Sequence, residues 1–189
     1  MRPLDDTIKI IDFGGATYDH EQHNSIINTR QYRAPEVILR CEDWTKKSDI
    51  WSMVCILIEM YTGELFYQAR EEVEHLAMIE KQCGPTPKWM AENAQSSSLR
   101  QIFLKETTTV DNVPMRVDWP HAKRRESSYK SWQKMKTLEQ LVQSDYNAYH
   151  KEFLDLLKVM MKVDPNERPT ARECLNHPFF KMTIPDTSL

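Results

Sequence analysis

The strongest constraint on the fold is the segment from residue 48 to residue 61, which is apolar almost all round when drawn as a helix. Its apolar side chains are Ile50, Trp51, Met53, Val54, Cys55, Ile56, Leu57, Ile58 and Met60. Such a helix requires neighbours on every side, so we expect it at the centre of a domain. Ser48 or Asp49 can cap its start, and Gly63 can end it.

The rest of the pattern predicts a mainly α fold. Further helices are marked by apolar spacing or by helix-start signals, at 34–39, 72–82, 149–162 and after the capping box of Thr170 and Glu173. One short strand is predicted at Lys9–Ile11. Residues 14–33 are polar and are interpreted as a loop, and residues 93–136 as long surface loops with short helices.

Composition limits the classes of function. The chain has 189 residues, enough for one domain or part of one, and a net charge of -3. That charge argues against general nucleic-acid binding, which needs concentrated Lys and Arg. The longest apolar run, Met53–Ile58, is too short to span a bilayer, and residues 1–6 lack the apolar core of a signal peptide. The four cysteines form no C-x-x-C, so we interpret them as reduced thiols in an intracellular protein.

Four motifs in a fixed order carry the chemistry. Asp12-Phe13-Gly14 follows the predicted strand, where a carboxylate can hold Mg²⁺ against nucleotide phosphates. This tripeptide alone is a weak signal, and the alternative is a strand that ends in a turn. "TRQYRAPE" begins at Thr29, 17 residues after Asp12. "SDIWSM" lies on the apolar helix, and "DPNERPT" begins at Asp164.

This order resembles the C-terminal lobe of eukaryotic protein kinases from about Asp6 to Phe180. "EHLAMIEK", from Glu74 to Lys81, is similar to the E-H-L-A-M-M-E-R signature of LAMMER, or CDC-like, dual-specificity kinases at six of eight positions. The resemblance implies a kinase-like C-terminal lobe, with an activation segment and a helical subdomain. We therefore expect a partial kinase domain at 1–181 and a C-terminal tail at 182–189.

The resemblance also implies roles for residues of the activation segment and the metal loop. Asp12 would bind Mg²⁺ within a cofactor-binding loop that includes Phe13 and Gly14. Thr29 would line the active site and help to fix the substrate hydroxyl. The wall beside the residue that follows the phosphoacceptor would be formed by Arg30, Tyr32 and Arg33.

Structural roles are implied for the helical part. Glu36 would pair with Arg168 and tie the activation segment to the C-terminal helices. Asp49 would brace the catalytic-loop backbone, and Trp51 would be a structural residue of the same helix. Val54 stands where the family usually has Gly, and its extra volume is expected to press on a neighbouring helix.

Several catalytic parts are not found before Asp12. The preceding residues hold no Gly-rich loop, no strand lysine and no H-R-D-x-x-x-x-N. We therefore expect the N-terminal lobe and the catalytic loop to be absent from this chain. We further expect marginal stability, an exposed apolar face on the central helix, an unpaired strand edge, and little or no ATP binding.

Two hypotheses for function remain open. One is a fragment of a kinase that uses ATP and Mg²⁺ to phosphorylate Ser, Thr or Tyr hydroxyls, with Arg/Ser-rich splicing factors as substrates and a nuclear rather than cytoplasmic location. The other is a non-catalytic substrate-docking or interaction module derived from a kinase. Neither involves direct nucleic-acid or membrane binding.

Two charged clusters are open to more than one interpretation. Glu71, Glu72 and Glu74 either attract basic substrates or form the solvated acidic start of a helix. The run 123–125, Lys-Arg-Arg, is either a nuclear address, a phosphate contact or a solvated loop.

Overall fold

The computed structural model describes residues 5, 7–41, 44–103, 114–119, 126–143 and 145–183. Its helices are α1 (Pro35–Leu39), α2 (Lys47–Thr62), α3 (Glu72–Cys83), α4 (Lys88–Glu92), α5 (Ser97–Arg100), α6 (Glu126–Lys134), α7 (Leu138–Leu141), α8 (Ala148–Met160) and α9 (Ala171–Cys174). Single 3₁₀ turns lie at Phe13–Gly15, Arg30–Tyr32 and Pro178–Lys181. Within these residues β pairing is limited to two isolated antiparallel bridges, Thr86 with Met115 and Phe103 with Val117. The predicted mainly α fold is confirmed. The basic run at 123–125 and the tail from 184 lie outside the described residues.

The start of α2 differs from the prediction. The helix begins at Lys47, and its preceding residue, Lys46, makes no capping side-chain bond. Ser48 is buried within the first turn, and its backbone N–H donates to the carbonyl oxygen of Thr45 at 2.8 Å. The predicted caps at Ser48 and Asp49 are therefore wrong. The predicted end is correct, because Gly63 adopts φ 78° there, a conformation that glycine tolerates best.

One side of α2 lies in the core and the other is open. Trp51 and Val54 are completely buried, while α2 contacts α8 and the turn Arg30–Tyr32. Met53, Ile56 and Met60 expose 45%, 40% and 78% of their surface. The expectation of neighbours on every side is thus wrong for the described part of the chain, and the expected exposed apolar face is confirmed. We call Met53, Ile56 and Met60 the open stripe.

The segment before the first turn is not a strand. Lys9–Ile11 has no regular secondary structure, and Ile8, Ile10 and Ile11 expose 85%, 77% and 79% of their surface. A strand is stable only when it pairs with others over a buried face. No strand of the described part lies beside Lys9–Ile11. The strand prediction is therefore wrong, because the segment has no pairing partner there.

The other helix predictions agree with the structure to within a few residues. Amphipathic α8 buries Leu154, Leu156, Leu157 and Met160. The capping box is present, with reciprocal bonds between Thr170 and Glu173 at the start of α9. The helix predicted at 72–82 is α3, which contacts α1 and α6. No helix in the described part is long and apolar enough to cross a membrane.

The open stripe generates a prediction about self-association. Ile56→Lys should lower the self-association of the chain at micromolar concentration and leave its urea midpoint nearly unchanged, because the side chain is already 40% exposed. The measurement is sedimentation velocity together with urea unfolding. Ile58→Lys is the matched control, since Ile58 is 1% exposed and a lysine there should unfold the chain. Equal self-association of Ile56→Lys and the parent would contradict the prediction.

Candidate functional site

A short 3₁₀ turn at Arg30–Tyr32 is held against the central helix. Thr29 precedes the turn, is exposed, and accepts a backbone bond from the N–H of Tyr32 at 2.9 Å. The Tyr32 hydroxyl donates to Oε2 of Glu59 at 2.6 Å. The Ser52 hydroxyl donates to the Tyr32 carbonyl at 2.8 Å. Two bonds to α2 therefore fix this turn, and the bond to Glu59 raises the pKa of Tyr32.

Arg33 anchors the other end of the turn. Its Nε donates to the Ile27 carbonyl at 3.1 Å and its Nη2 to the Asn28 carbonyl at 3.0 Å. Nη1 lies 3.8 Å from Oε1 of Glu72, which also lies 3.9 Å from Nη2 of Arg40. Burial lowers the pKa of Arg33, and the Glu72 carboxylate opposes that change. Arg33 thus links the loop before it to the first turn of α3.

Glu72 and Glu74, at the start of α3, have partners within the chain. Arg30 donates from Nη1 to the Arg70 carbonyl, and the Arg70 backbone N–H donates to Oε2 of Glu74 at 2.8 Å. Glu74 is buried, and Glu72 is shared between two arginines. Both interpretations are therefore wrong for Glu74, while attraction of a basic substrate by Glu72 stays a prediction.

A buried ion pair lies directly after the turn. Nη1 of Arg168 donates to Oε1 of Glu36 at 2.7 Å, and Nη2 donates to Oε2 at 2.9 Å, across 132 positions of sequence. Both side chains are at most 2% exposed. The guanidinium also donates to three carbonyl oxygens, those of Lys47, Lys162 and Val163. The structure thus brings together the two residues that the resemblance had paired.

Aromatic residues extend from this ion pair to α3. Cζ of Arg168 lies 5.1 Å from the centroid of the Trp51 ring, in a cation–π arrangement. Trp51 stacks parallel to Tyr67 with ring centroids 6.3 Å apart. Tyr67 in turn contacts the ring of His75, at 4.9 Å between centroids. A continuous set of rings therefore joins the ion pair to the helix that carries Glu72.

His75 of α3 is completely buried. It has no exposed surface, and neither ring nitrogen has a hydrogen-bond partner among the described residues. Burial, with smaller contributions from the charges of Arg33 and Arg30, lowers its pKa from 6.5 to about 3. A charged imidazole would be unfavourable there, because it would have no partner in a low-dielectric site.

The predicted metal loop, unlike the turn Arg30–Tyr32, is exposed and, in the described part of the chain, is not bonded to α2. Asp12 is exposed, with φ 64° and ψ 67° in the left-handed region, and Phe13 is 67% exposed. A Cβ on Gly14 would lie 3.5 Å from Oδ1 of Asp12, an ordinary contact, so packing does not require glycine here. No hydrogen bond or ion pair within the described residues joins this loop to Thr29 or the turn that follows it.

The described residues of this loop offer too few oxygen donors to hold Mg²⁺ without further ligands. Mg²⁺ requires octahedral coordination by oxygen atoms from several donors. Asp12 belongs to no group of three potential ligands in the described part, where the one such group is Glu152, Asp155 and His177. That group is explained without metal, because His177 accepts from the N–H of Phe179 and its other nitrogen faces Asp155 at 3.0 Å.

Asp49 lies in the first turn of α2. It is exposed, and partial desolvation raises the pKa of its carboxyl group. The described residues include no partner for it. Val54, one turn further along, is completely buried in the core.

Comparisons with known proteins give the family. Residues 3–180 match the model of the protein kinase domain. The chain belongs to the protein kinase family. It is 38% identical to a solved kinase domain, PF14_0431, with a TM-score of 0.78 over 90% of this chain and 46% of that one.

The curated relatives of this kinase chain include LAMMER-type enzymes. It is 40% identical to the serine/threonine-protein kinase AFC1 of Arabidopsis thaliana, over 94% of this chain and 36% of the relative. It is 39% identical to the dual specificity protein kinase CLK1 of Homo sapiens, over 93% and 33%. With lkh1 of Schizosaccharomyces pombe, also a dual specificity protein kinase, the values are 41%, 94% and 24%. The kinase chain thus spans about a third or less of these relatives.

Some residues of the site were not predicted from sequence. Glu59 and Tyr67 had no signal beyond their place near apolar runs, and Glu72 was predicted only as part of an acidic cluster. Their roles depend on contacts between distant segments, such as the bond of Tyr32 to Glu59, which lie 27 positions apart. Local spacing does not reveal such contacts.

The buried ion pair generates a stability prediction. Glu36→Gln should lower the free energy of unfolding by about 3–5 kcal/mol, because it leaves the Arg168 charge buried without its partner. Urea denaturation measures the change. The control is Glu92→Gln, which removes an exposed carboxylate 3.8 Å from Lys88 and should cost no more than about 0.5 kcal/mol. A loss below about 1 kcal/mol for Glu36→Gln would contradict the prediction.

His75 generates a pH prediction. Its pKa is about 3 when folded and near 6.5 when unfolded, so the unfolded chain binds a proton that the folded chain excludes as pH falls below 6.5. Stability should therefore fall between pH 6.5 and pH 3, with a slope of up to about 1.4 kcal/mol per pH unit from this group.

The measurement is the free energy of unfolding against pH for His75→Leu and for His20→Leu. His75→Leu should show a shallower decline below pH 6.5, because it removes the proton-binding group. His20 lies in the exposed loop, so His20→Leu should keep the slope of the parent. Identical slopes for His75→Leu and the parent would show that another group is responsible.

Proposed function

We propose that this chain is the substrate-binding, C-terminal part of a LAMMER-type dual-specificity kinase. The whole kinase would transfer the γ-phosphate of ATP to Ser, Thr and Tyr hydroxyls of proteins, with Arg/Ser-rich splicing factors as substrates in the nucleus. ATP and Mg²⁺ would be its cofactors, and Asp12, Phe13 and Gly14 would contribute to their site.

One observation carries the proposal. The helix with the LAMMER-like signature lies directly behind the activation-segment turn, joined to it by the contact of Arg33 with Glu72 and by the bond of Arg30 to the Arg70 carbonyl. Signature residues Glu74 and His75 are buried at this junction. A signature that supports the turn is expected to act on substrate choice, because this turn forms the wall for the residue after the phosphoacceptor.

The chain's own residues would position the protein substrate. Thr29 is exposed at the start of the turn, where its hydroxyl is available to a substrate hydroxyl. Tyr32 and Arg33 are fixed by bonds to α2, to α3 and to the preceding loop, so the wall is preorganised. These 189 residues alone would not catalyse phosphoryl transfer, because the described part provides only a single exposed candidate metal ligand in the predicted metal loop.

A non-catalytic role is the second candidate. It is favoured by the bonds that hold the turn, which run to α2 and α3 and, within the described residues, not to the predicted metal loop, so substrate docking would not depend on that loop. In that case the chain would bind Arg/Ser-rich protein and compete with a complete kinase.

A chimeric kinase tests the first proposal. In human CLK1, the segment that matches this chain is replaced by residues 3–180, and phosphorylation of an Arg/Ser-repeat peptide is measured with radiolabelled ATP. The chimera should be active. Asp12→Asn should lower its kcat about a hundredfold or more, because Asp12 is the proposed metal ligand.

A nearby exposed carboxylate provides the control for Asp12→Asn. Asp19→Asn removes an exposed carboxylate 3.3 Å from Lys46 and should leave kcat within about twofold. An inactive chimera that is folded would reject the catalytic proposal. If the 189-residue chain then inhibited intact CLK1 in competition with the peptide, the docking role would stand in its place.

A further inference from the structure

An open surface cavity lined by lysines lies at the C-terminal end of α3. It has a volume of about 590 Å³ and is lined by Lys81, Gln133, Lys134, Met135, Lys136, Thr137 and Gln140. Three of these seven residues carry positive charge and none carries negative charge. Such a lining is suited to an anion.

The walls of the cavity are fixed by side chains of α3. The Lys81 ammonium donates to the carbonyls of Trp132 and Gln133 at 2.6 and 2.9 Å. Gln82 donates to the Lys136 carbonyl at 2.6 Å and accepts from the Leu138 N–H at 3.0 Å. The backbone from 132 to 138 is therefore held in place before any ligand binds, which lowers the entropic cost of binding.

The other two lysines are free to contact a ligand. Lys134 and Lys136 are exposed, and neither forms an ion pair within the described part of the chain. The nearest acidic residue in sequence, Glu139, is paired with Lys158 at 2.7 Å. No carboxylate of the described residues lines the cavity.

A structural role for Lys81 accounts for only part of this charge. Lys81 caps the last carbonyls of α6, where the helix dipole contributes about half a negative charge. Its ammonium also lies 5.0 Å from the centroid of the Trp132 ring. Even with that half charge subtracted, three lysines leave a strongly positive cavity, and Lys134 and Lys136 contribute nothing to the cap.

The geometry points to a binding site for a phosphate monoester, and we propose that its occupant is a phosphoserine- or phosphothreonine-bearing segment of a protein. A phosphate monoester carries about 1.5 to 2 negative charges at neutral pH, which suits three lysines better than a single carboxylate does. A polyanion such as RNA is disfavoured, because the chain has a net charge of -3 and the basic residues surround one cavity. Members of the kinase family make phosphoproteins, so such segments are present where the chain acts.

The test measures binding rather than activity, so its outcome does not depend on the proposed catalytic function. Two fluorescent peptide libraries, degenerate except for a central phosphoserine or a central serine, are titrated into the 189-residue chain at low salt. The phosphoserine library should bind at least about tenfold more tightly, and its affinity should fall as salt is raised. Inorganic phosphate should shift the amide resonances of residues 133–137.

Paired lysine variants identify the site. Lys134→Gln with Lys136→Gln should weaken binding of the phosphoserine library about tenfold, since each exposed lysine contributes roughly threefold. Lys130→Gln with Lys151→Gln removes the same charge from exposed positions outside the cavity and should change binding by less than about twofold. Both pairs lie on the surface, and circular dichroism checks that they fold.

Three results would overturn the proposal. The first is equal binding of the two libraries. The second is an equal loss in the two paired variants, which would indicate only a general charge effect. The third is tighter binding of a degenerate single-stranded RNA 12-mer than of the phosphoserine library, lost in Lys134→Gln with Lys136→Gln, which would assign the cavity to nucleic acid.

Discussion

The buried ion pair between Arg168 and Glu36 is the interaction on which the rest of the structure depends. Burial of two charges is costly, and their attraction offsets that cost only when the geometry is good and the remaining donors are satisfied. Here the guanidinium reaches both carboxylate oxygens and three carbonyls. Those carbonyls belong to the start of α2 and to the segment after α8, and the carboxylate belongs to α1. One side chain therefore joins three separate parts of the chain.

A series of contacts connects this ion pair to the turn Arg30–Tyr32. Arg168 lies against Trp51, Trp51 stacks on Tyr67, and Tyr67 contacts His75 of α3. On the other side, Arg33 and the Tyr32 hydroxyl join the turn to Glu72 and Glu59. A change in the ion pair would therefore act on the turn through closely packed rings, which transmit displacement because protein interiors have little free volume.

Local pattern predicted the helices but not the contacts between them. The helices α1, α3 and α8 follow apolar spacing and start or stop signals that act over a few residues. The predicted strand at Lys9–Ile11 was wrong because a strand depends on a partner, which local sequence does not specify. The contact of Glu36 with Arg168 came only from the family resemblance, and that of Glu72 with Arg33 came from neither source. The cavity around Lys81 required the fold, since its lysines are brought together by the packing of α6 on α3.

The turn Arg30–Tyr32 and the predicted metal loop differ in what holds each of them in place. The turn is held by bonds to α2 and α3, whereas Ile8, Ile10, Ile11 and Phe13 around the predicted metal loop are 67–85% exposed. Burial of each such side chain contributes about 1.5–3 kcal/mol, so burial of all four would contribute roughly 6–12 kcal/mol. That range is comparable to the whole stability of a typical domain, about 5–15 kcal/mol. A surface that covers these side chains would therefore contribute to fixing Asp12, while the bonds that hold the turn do not involve these side chains. The order of the turn and the order of the predicted metal loop are thus physically separable, and only the loop has exposed apolar side chains that a covering surface could bury.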